Sequence, residues 1–397
     1  MMDAHTPVSP IEEAPVEGSN GQAVDEVKKS PPQPPPSQKV AVNFHGELGA
    51  YYRIWIVNWA LTILTLGIFS AWAKVRTQRF INGHTELDGH HFEYTANPLK
   101  ILKGRLIALA ILSPVIFQEQ IIQWLHMSDF AQSLSGELFT MLLVLFGIVP
   151  IVVLFIAMPW FLVKGKQFQL FNTRYRGIRF QFHGTSNKAF LPYFVLPTVS
   201  FITLGLLAPY TVLRMKRFLV HNLGFGSQRL VKQEGKQDIA KESLIYSGLL
   251  PIAFLIIMMV LAFLLTAATG GGPVAGAPLI PVFVGFGAMM FIPFYRTWLE
   301  GKMLNGLWNS AELGDLRFSS TIRPTKLAWI SVSNAIVRVL SLGMLSPWCT
   351  LRMLNYRYSS MQVEVAGDAQ AFIAQLQDEQ SAVGEGGDDL LGIDAGF

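Results

Sequence analysis

A chain of 397 residues that is 51% hydrophobic and 15% charged falls well short of the roughly one-quarter charge of ordinary soluble domains. The deficit points to lipid contact, and the net charge of +4 sits beside apolar runs, as membrane topology requires, so no nucleic-acid partner is expected. The single cysteine, Cys349, excludes an intramolecular disulfide and reads as a buried, inert thiol.

Residues 1–40 are polar and carry Pro31-Pro32-Gln33-Pro34-Pro35-Pro36, with no apolar stretch of the kind a cleaved signal needs. They read as a disordered tail. Residues 41–105 open with Phe44-His45-Gly46, then an apolar helix over Ile54 to Leu64, a break, and a second helix carrying Lys74, Arg76 and Arg79. Thr85 to Thr95 alternates around Asp88-Gly89, a hairpin signal. Residues 106–163 read as a transmembrane helical hairpin: Leu106 to Leu125, interrupted by Gln118-Glu119-Gln120, and the uncharged Leu138 to Val163.

In residues 164–241, Tyr175 to Phe182 turns at Arg176-Gly177, and a helix, a break and a basic helix with Arg214, Lys216 and Arg217 follow. Residues 242–300 hold the uncharged run Leu244 to Tyr295, broken at Gly270-Gly271-Gly272-Pro273 into a second transmembrane hairpin. Residues 301–365 repeat the pattern, with strands around Gly314-Asp315 and a basic helix containing Arg352. Residues 366–397 form an acidic tail in which Ala369 to Glu379 can make a helix with Phe372, Ile373 and Leu376 on one face.

Three segments are self-similar: Leu64-Thr65-Leu66-Gly67 through Trp72, Ile202-Thr203-Leu204-Gly205 through Tyr210, and Leu340-Ser341-Leu342-Gly343 through Trp348. Gly67, Gly205 and Gly343 lie 138 residues apart, as do Arg76, Arg214 and Arg352. Arg79 matches Arg217, and Phe44-His45-Gly46 matches Phe182-His183-Gly184, at the same offset. The glycine suits a left-handed helix cap. Ser70 and Ser346 suit an N-cap, Pro209 and Pro347 a first helical turn, and Trp72, Tyr210 and Trp348 an aromatic anchor at a membrane interface. The expected fold class is therefore mainly α: a polytopic α-helical membrane protein of three repeated helix-break-helix units with a 138-residue period and short cytoplasmic β-hairpins.

If every apolar run crossed the bilayer, the basic cluster around Arg214 would lie opposite that around Arg76, against the positive-inside rule. If the three units instead enter and leave on one face, every basic cluster is cytoplasmic, and the outer loops Gln118–Glu137 and Thr266–Pro278 contain no Lys or Arg. The re-entrant reading is preferred, with both termini cytoplasmic.

The segment Phe44 to Tyr94, with Phe-His-Gly, Leu-Thr-Leu-Gly, Trp72-Ala73-Lys74-Val75-Arg76 and Gly89-His90-His91-Phe92-Glu93-Tyr94, resembles the YjgN-like family of bacterial inner-membrane proteins. The resemblance covers the chain from about residue 42 and extends to Ser381-Ala382-Val383-Gly384-Glu385. It implies a bacterial inner-membrane location and several spans; the family is one of unknown function and supplies no catalytic residues.

The sharpest candidate binding set is Arg76, Arg214 and Arg352, with Arg79 and Arg217 beside them. Convergence would make a guanidinium ring suited to phosphate or carboxylate; otherwise each arginine snorkels to lipid head groups. His45 and His183 lack metal-ligand neighbours, and Asn58 and Asn334 suit interhelical hydrogen bonds. No nucleophile, base or metal set supports an enzyme, and no cofactor is expected. Membrane lipids are the expected partners, with protein partners possible through the two tails. A transport or channel-like role is the first reading, and a non-catalytic scaffold or lipid-binding role is the alternative.

Overall fold

A computed structural model describes residues 38–127, 135–203, 207–232, 252–254, 256–264, 267, 279–365 and 369–387. The Pro-rich tail, Gly205, the Gly270–Pro273 break, the span expected from Leu244 and the last ten residues lie wholly or largely outside them.

Eleven short strands are present: β1 (Gln38–Phe44), β2 (Thr85–Leu87), β3 (His90–Tyr94), β4 (Thr173–Tyr175), β5 (Ile178–Phe182), β6 (Leu223–Phe225), β7 (Gln228–Arg229), β8 (Val231–Lys232), β9 (Ala311–Leu313), β10 (Leu316–Ser320) and β11 (Met361–Val365). They form one antiparallel sheet in the order β7-β6-β5-β4-β3-β2-β1-β11-β10-β9-β8. Its two ends, β7 and β8, are separated in sequence by Leu230 alone, so the sheet curls into a nearly closed barrel. Alternate residues point inward along each strand. The turns fall at Asp88-Gly89 and Arg176-Gly177, with positive φ at both residues, and at Gly314-Asp315. A further turn joins β6 to β7 at Gly226-Ser227.

This architecture overturns the expected fold class. The protein is not a polytopic helical bundle of three repeated helix-break-helix units with separate hairpins, because all the hairpins are pieces of one sheet. Strand β1 pairs with β11, more than 300 residues away, with Val40 opposite Val363. An isolated two-stranded hairpin is marginal in water and leaves unpaired edges; joining the hairpins edge to edge removes both costs. Among the described residues, one helix alone is long and apolar enough to cross a bilayer.

The helices are α1 (Leu48–Leu64), α2 (Ser70–Gly83), α3 (Pro98–Ile116), α4 (Gln118–His126) and α5 (Gly136–Phe171). Next comes α6 (186–202), whose middle turn, Leu191–Val195, is π-helical beside Pro192 and Pro197. The remainder are α7 (Ala208–His221), α8 (Leu279–Trp308), α9 (Pro324–Leu340), α10 (Ser346–Ser359) and α11 (Ala369–Gly387). The 138-residue spacing governs strands as well as helices: α1, α6 and α9 begin at 48, 186 and 324, and β2, β6 and β11 at 85, 223 and 361. What recurs is a position around one barrel together with the helices mounted on it.

Every helical excursion leaves and re-enters the barrel at paired residues. Phe44 faces Thr85, Tyr94 faces Thr173, Phe182 faces Leu223, Lys232 faces Ala311 and Ser320 faces Met361. Helices α1 to α10 therefore attach at one end of the barrel, and the hairpin turns lie at the other. Helix α11 lies across the turn end. Leu376 packs near Gly226 and Phe372 near Gly314, Gln377 Nε2 donates to Arg176 O at 2.7 Å, and Ser227 Oγ donates to the Glu379 carboxylate. Phe372, Ile373 and Leu376 are buried in the barrel core with Tyr175, Ile178 and Phe225. The acidic segment is thus no free tail over residues 369–387.

Candidate functional site: three exposed helical tips

Helix α1 stops because the backbone turns left-handed. Leu66 has φ +50° and Gly67 φ +92°. Gly67 N–H donates to Thr62 O at 2.7 Å and Leu66 N–H to Ile63 O at 3.0 Å, the paired bonds of a Schellman cap. The third tip is the same: Leu342 has φ +50° and Gly343 φ +84°, and Gly343 N–H donates to Arg338 O at 2.7 Å. The sequence reading gave the left-handed position to the glycine. The structure gives it first to a leucine, a residue that pays for that conformation.

Both leucines point away from the protein. Leu66 is 95% exposed and Leu342 93% exposed. Around them Ile63, Leu64 and Ile68, and Val339, Leu340, Met344 and Leu345, are also exposed. In the second hairpin, Leu204-Gly205-Leu206 lies outside the described residues, but Phe201 and Ile202 beside it are 85% and 72% exposed. The first and third tips are therefore apolar and uncovered, as are the described residues beside the second.

The chain re-enters the second helix through a repeated hydroxyl. Thr65 Oγ1 accepts from Phe69 N–H at 2.9 Å, and Ser341 Oγ from Leu345 N–H at 3.2 Å. This displaces the expected caps: Phe69 and Leu345 hold the N-cap positions, and Ser70 instead donates to Gly67 O. Pro209 and Pro347 occupy the first turns of α7 and α10 and are buried.

Two of the candidate arginines, Arg214 and Arg352, bind within their own hairpins. Arg214 Nε donates to Tyr210 OH at 2.7 Å and its guanidinium lies over that ring. Arg352 stacks on Trp348 with its carbon 5.1 Å from the ring centre, and donates to Ser333 Oγ and Asn334 Oδ1 at 2.9 and 3.1 Å. Arg76 is exposed one helical turn after Trp72. Arg79 donates to the carbonyls of Tyr94 and Ala96 at 3.3 Å, fixing the end of β3; Arg217 is engaged too.

Asn58 and Asn334 join the two helices of their hairpins, donating to Ala73 O at 3.4 Å and Cys349 O at 2.9 Å. Arg352 completes the Asn334 amide, whereas Asn58 Oδ1 is buried without a hydrogen-bond partner. The Phe-His-Gly elements are packing devices. A Cβ on Gly46 or Gly184 would strike the ring of Phe44 or Phe182, so only glycine fits. His45 Nε2 lies 3.2 Å from Glu86 Oε2. The corresponding partner of His183 is Gly224, where no carboxylate exists, and burial with the nearby Arg229 charge pushes the His183 pKa down. Among the described residues no cluster of His, Cys, Asp and Glu could hold a metal.

Sequence reasoning missed a basic group between the hairpins and the barrel. Lys216 Nζ lies 2.8 Å from Glu300 Oε1 and Arg357 Nη2 lies 3.4 Å from Glu300 Oε2. Lys166 feels the charges of Lys216 and Lys74. One carboxylate thus pairs with two cations from two different helices, with Lys166 close enough to Lys216 to feel its charge.

Helix α5 completes the surface. It has 36 residues, a mean hydropathy of 3.0 over its most apolar window, and none of that window is buried. Uncovered apolar tips, an uncovered span-length helix and arginine–aromatic pairs at the hairpins define a membrane protein, with a strand barrel at the base of its helices. The chain belongs to the family described as bacterial protein of unknown function (DUF898), whose model matches residues 39–390. It is 24% identical over 365 residues to inner membrane protein YjgN of Salmonella typhimurium (strain LT2), covering 81% of this chain and 87% of that relative. It is 27% and 28% identical over 162 residues to inner membrane protein YjgN of Escherichia coli O157:H7 and K12, covering 41% of this chain and 36% of each. No solved structure matches the chain.

Proposed function

We propose that the protein is a non-catalytic, lipid-contacting protein of the bacterial inner membrane. Its barrel lies on the cytoplasmic face and its three hairpin tips dip into the bilayer without crossing. The observation that carries this reading is Leu66 and Leu342, left-handed and almost wholly exposed. Strain of that kind persists where function requires it, and a leucine at a loop tip gains nothing from water.

The barrel pairing supports the dipping geometry, since each hairpin starts and ends on neighbouring paired residues, such as Phe44 and Thr85. By the same pairing, Tyr94 opposite Thr173, the excursion containing α5 starts and ends at one end of the barrel. Arg76, Arg214 and Arg352, each one turn beyond an aromatic residue, take the head-group level in this arrangement and bind lipid phosphates. The engagement of Arg214 and Arg352 within separate hairpins favours lipid contact over a ring at a pore mouth. The cationic residues support a cytoplasmic side for the barrel. The test is depth: a fluorophore at each tip of the reconstituted protein is quenched by brominated lipid and not by aqueous iodide.

A further inference from the structure

The barrel lumen holds a partly open cavity of about 320 Å³. A strand ring of this number is wider than side chains alone fill, and the volume lies within the range of ligand pockets. The lining is apolar, with Leu87, Phe92, Phe180, Leu223, Leu316 and Phe318 facing the lumen. Three polar side chains at its wall are already satisfied by the protein. Tyr175 OH donates to Leu87 O at 2.7 Å, Thr85 Oγ1 to Ile81 O at 2.8 Å, and Thr173 Oγ1 to Gln169 O at 2.9 Å. None of the buried unpartnered polar atoms among the described residues belongs to the lining. An occupant therefore meets a wall that is mainly hydrocarbon.

The two ends of the lumen differ. At the turn end, Ile373 of α11 closes it, and the buried Leu376 and Phe372 seat that helix on the turns. At the helix end, the wall includes Leu170, Trp308 and Tyr358. Lys166 lies one helical turn from Leu170, roughly 6 Å along α5, and Arg357 adjoins Tyr358. The cations around Glu300 thus stand just outside the helix end, in excess over the single carboxylate. A dry apolar chamber with a cationic mouth is complementary to a long hydrocarbon chain that ends in an anion.

We propose that the lumen binds one hydrocarbon chain of an anionic amphiphile, with its acidic head at Lys166, Lys216 and Arg357 and its methyl end under α11. The chemistry is shared by a free fatty acid and by one chain of a membrane phospholipid. At about 30 Å³ per water-sized unit, the cavity holds roughly ten methylene-sized groups, so the chain that fits is near twelve carbons.

The test is native mass spectrometry of the full-length protein in detergent. The untreated protein retains one lipid per chain, and its mass separates a fatty acid from a phospholipid. The delipidated protein is then titrated with octanoate, decanoate, dodecanoate and hexadecanoate. Affinity should rise about fourfold per added methylene, roughly 200-fold from octanoate to dodecanoate, and then stop rising. Dodecanol should bind at least tenfold more weakly than dodecanoate. Leu316→Trp, which fills the lumen, should lose the adduct while circular dichroism is unchanged. The proposal fails if no one-to-one adduct forms, if affinity keeps climbing at the same slope to hexadecanoate, or if a folded L316W variant retains the adduct. The chain-length series on the unaltered protein decides the matter should L316W not fold.

Discussion

Replacing Leu66 with Asn sets two energies against each other. A left-handed conformation costs an L-residue about 1–2 kcal/mol. At 95% exposure Leu66 recovers nothing from the protein. Transfer of a leucine side chain from water into hydrocarbon returns about 1.5–3 kcal/mol. Lipid burial therefore outweighs the backbone cost, and in water that cost would stand alone. Asn tolerates the left-handed region, so Leu66→Asn should leave the fold intact and weaken seating of the tip by about 1.5–3 kcal/mol. The assay places a bimane-labelled cysteine at Ile63 in nanodiscs, with the fully buried Cys349 left in place. The parent label should be quenched by brominated lipid and ignored by iodide, and L66N should shift both toward water. If iodide reaches the parent label as readily as a label at Asp88, the tip is aqueous and the reasoning is refuted. Leu342→Asn with a label at Val339 repeats the test independently.

Other outcomes follow from the packing. Leu376→Ala, at a residue only 1% exposed, should weaken docking of α11 by about 2–5 kcal/mol, seen as faster hydrogen exchange over residues 369–387 with barrel strands still protected. Asn334→Leu should cost about 1–3 kcal/mol, because it removes the hydrogen bonds that Asn334 makes with Cys349 O and Arg352. Asn58→Leu should cost less, since its Oδ1 is already unpartnered; thermal midpoints of the two variants rank them. Burial and Arg229 depress the His183 pKa, so below about pH 6.5 the unfolded chain binds the extra proton. Stability should fall as pH drops through that value, and His183→Gln should flatten this part of the thermal-midpoint profile.

Local chemistry was legible in the sequence and distant pairing was not. Asp88-Gly89 and Arg176-Gly177 mark their turns because few dipeptides accept positive φ twice. Phe372, Ile373 and Leu376 show their shared face through spacing alone, yet nothing in that spacing says that the face closes a barrel. Residues Gln38 to Phe44 lie against a Pro-rich stretch and far from β11, so their role as a wall strand is invisible without the partner. The lumen is hidden for the same reason: its lining comes a few residues at a time from nine separate short strands. The three tips were legible as breaks. That a leucine takes the left-handed position was not, because propensity argues for the adjacent glycine.

The most direct measurement of the central claim is sidedness. Single cysteines at Asp88, Asp315, Leu66 and Leu342 are probed with a membrane-impermeant maleimide in right-side-out and inverted inner-membrane vesicles. Positions 88 and 315, on exposed barrel turns, should label only in inverted vesicles, and positions 66 and 342 in neither. Labelling of either tip from the periplasmic side would make that hairpin a pair of crossings and contradict the dipping arrangement.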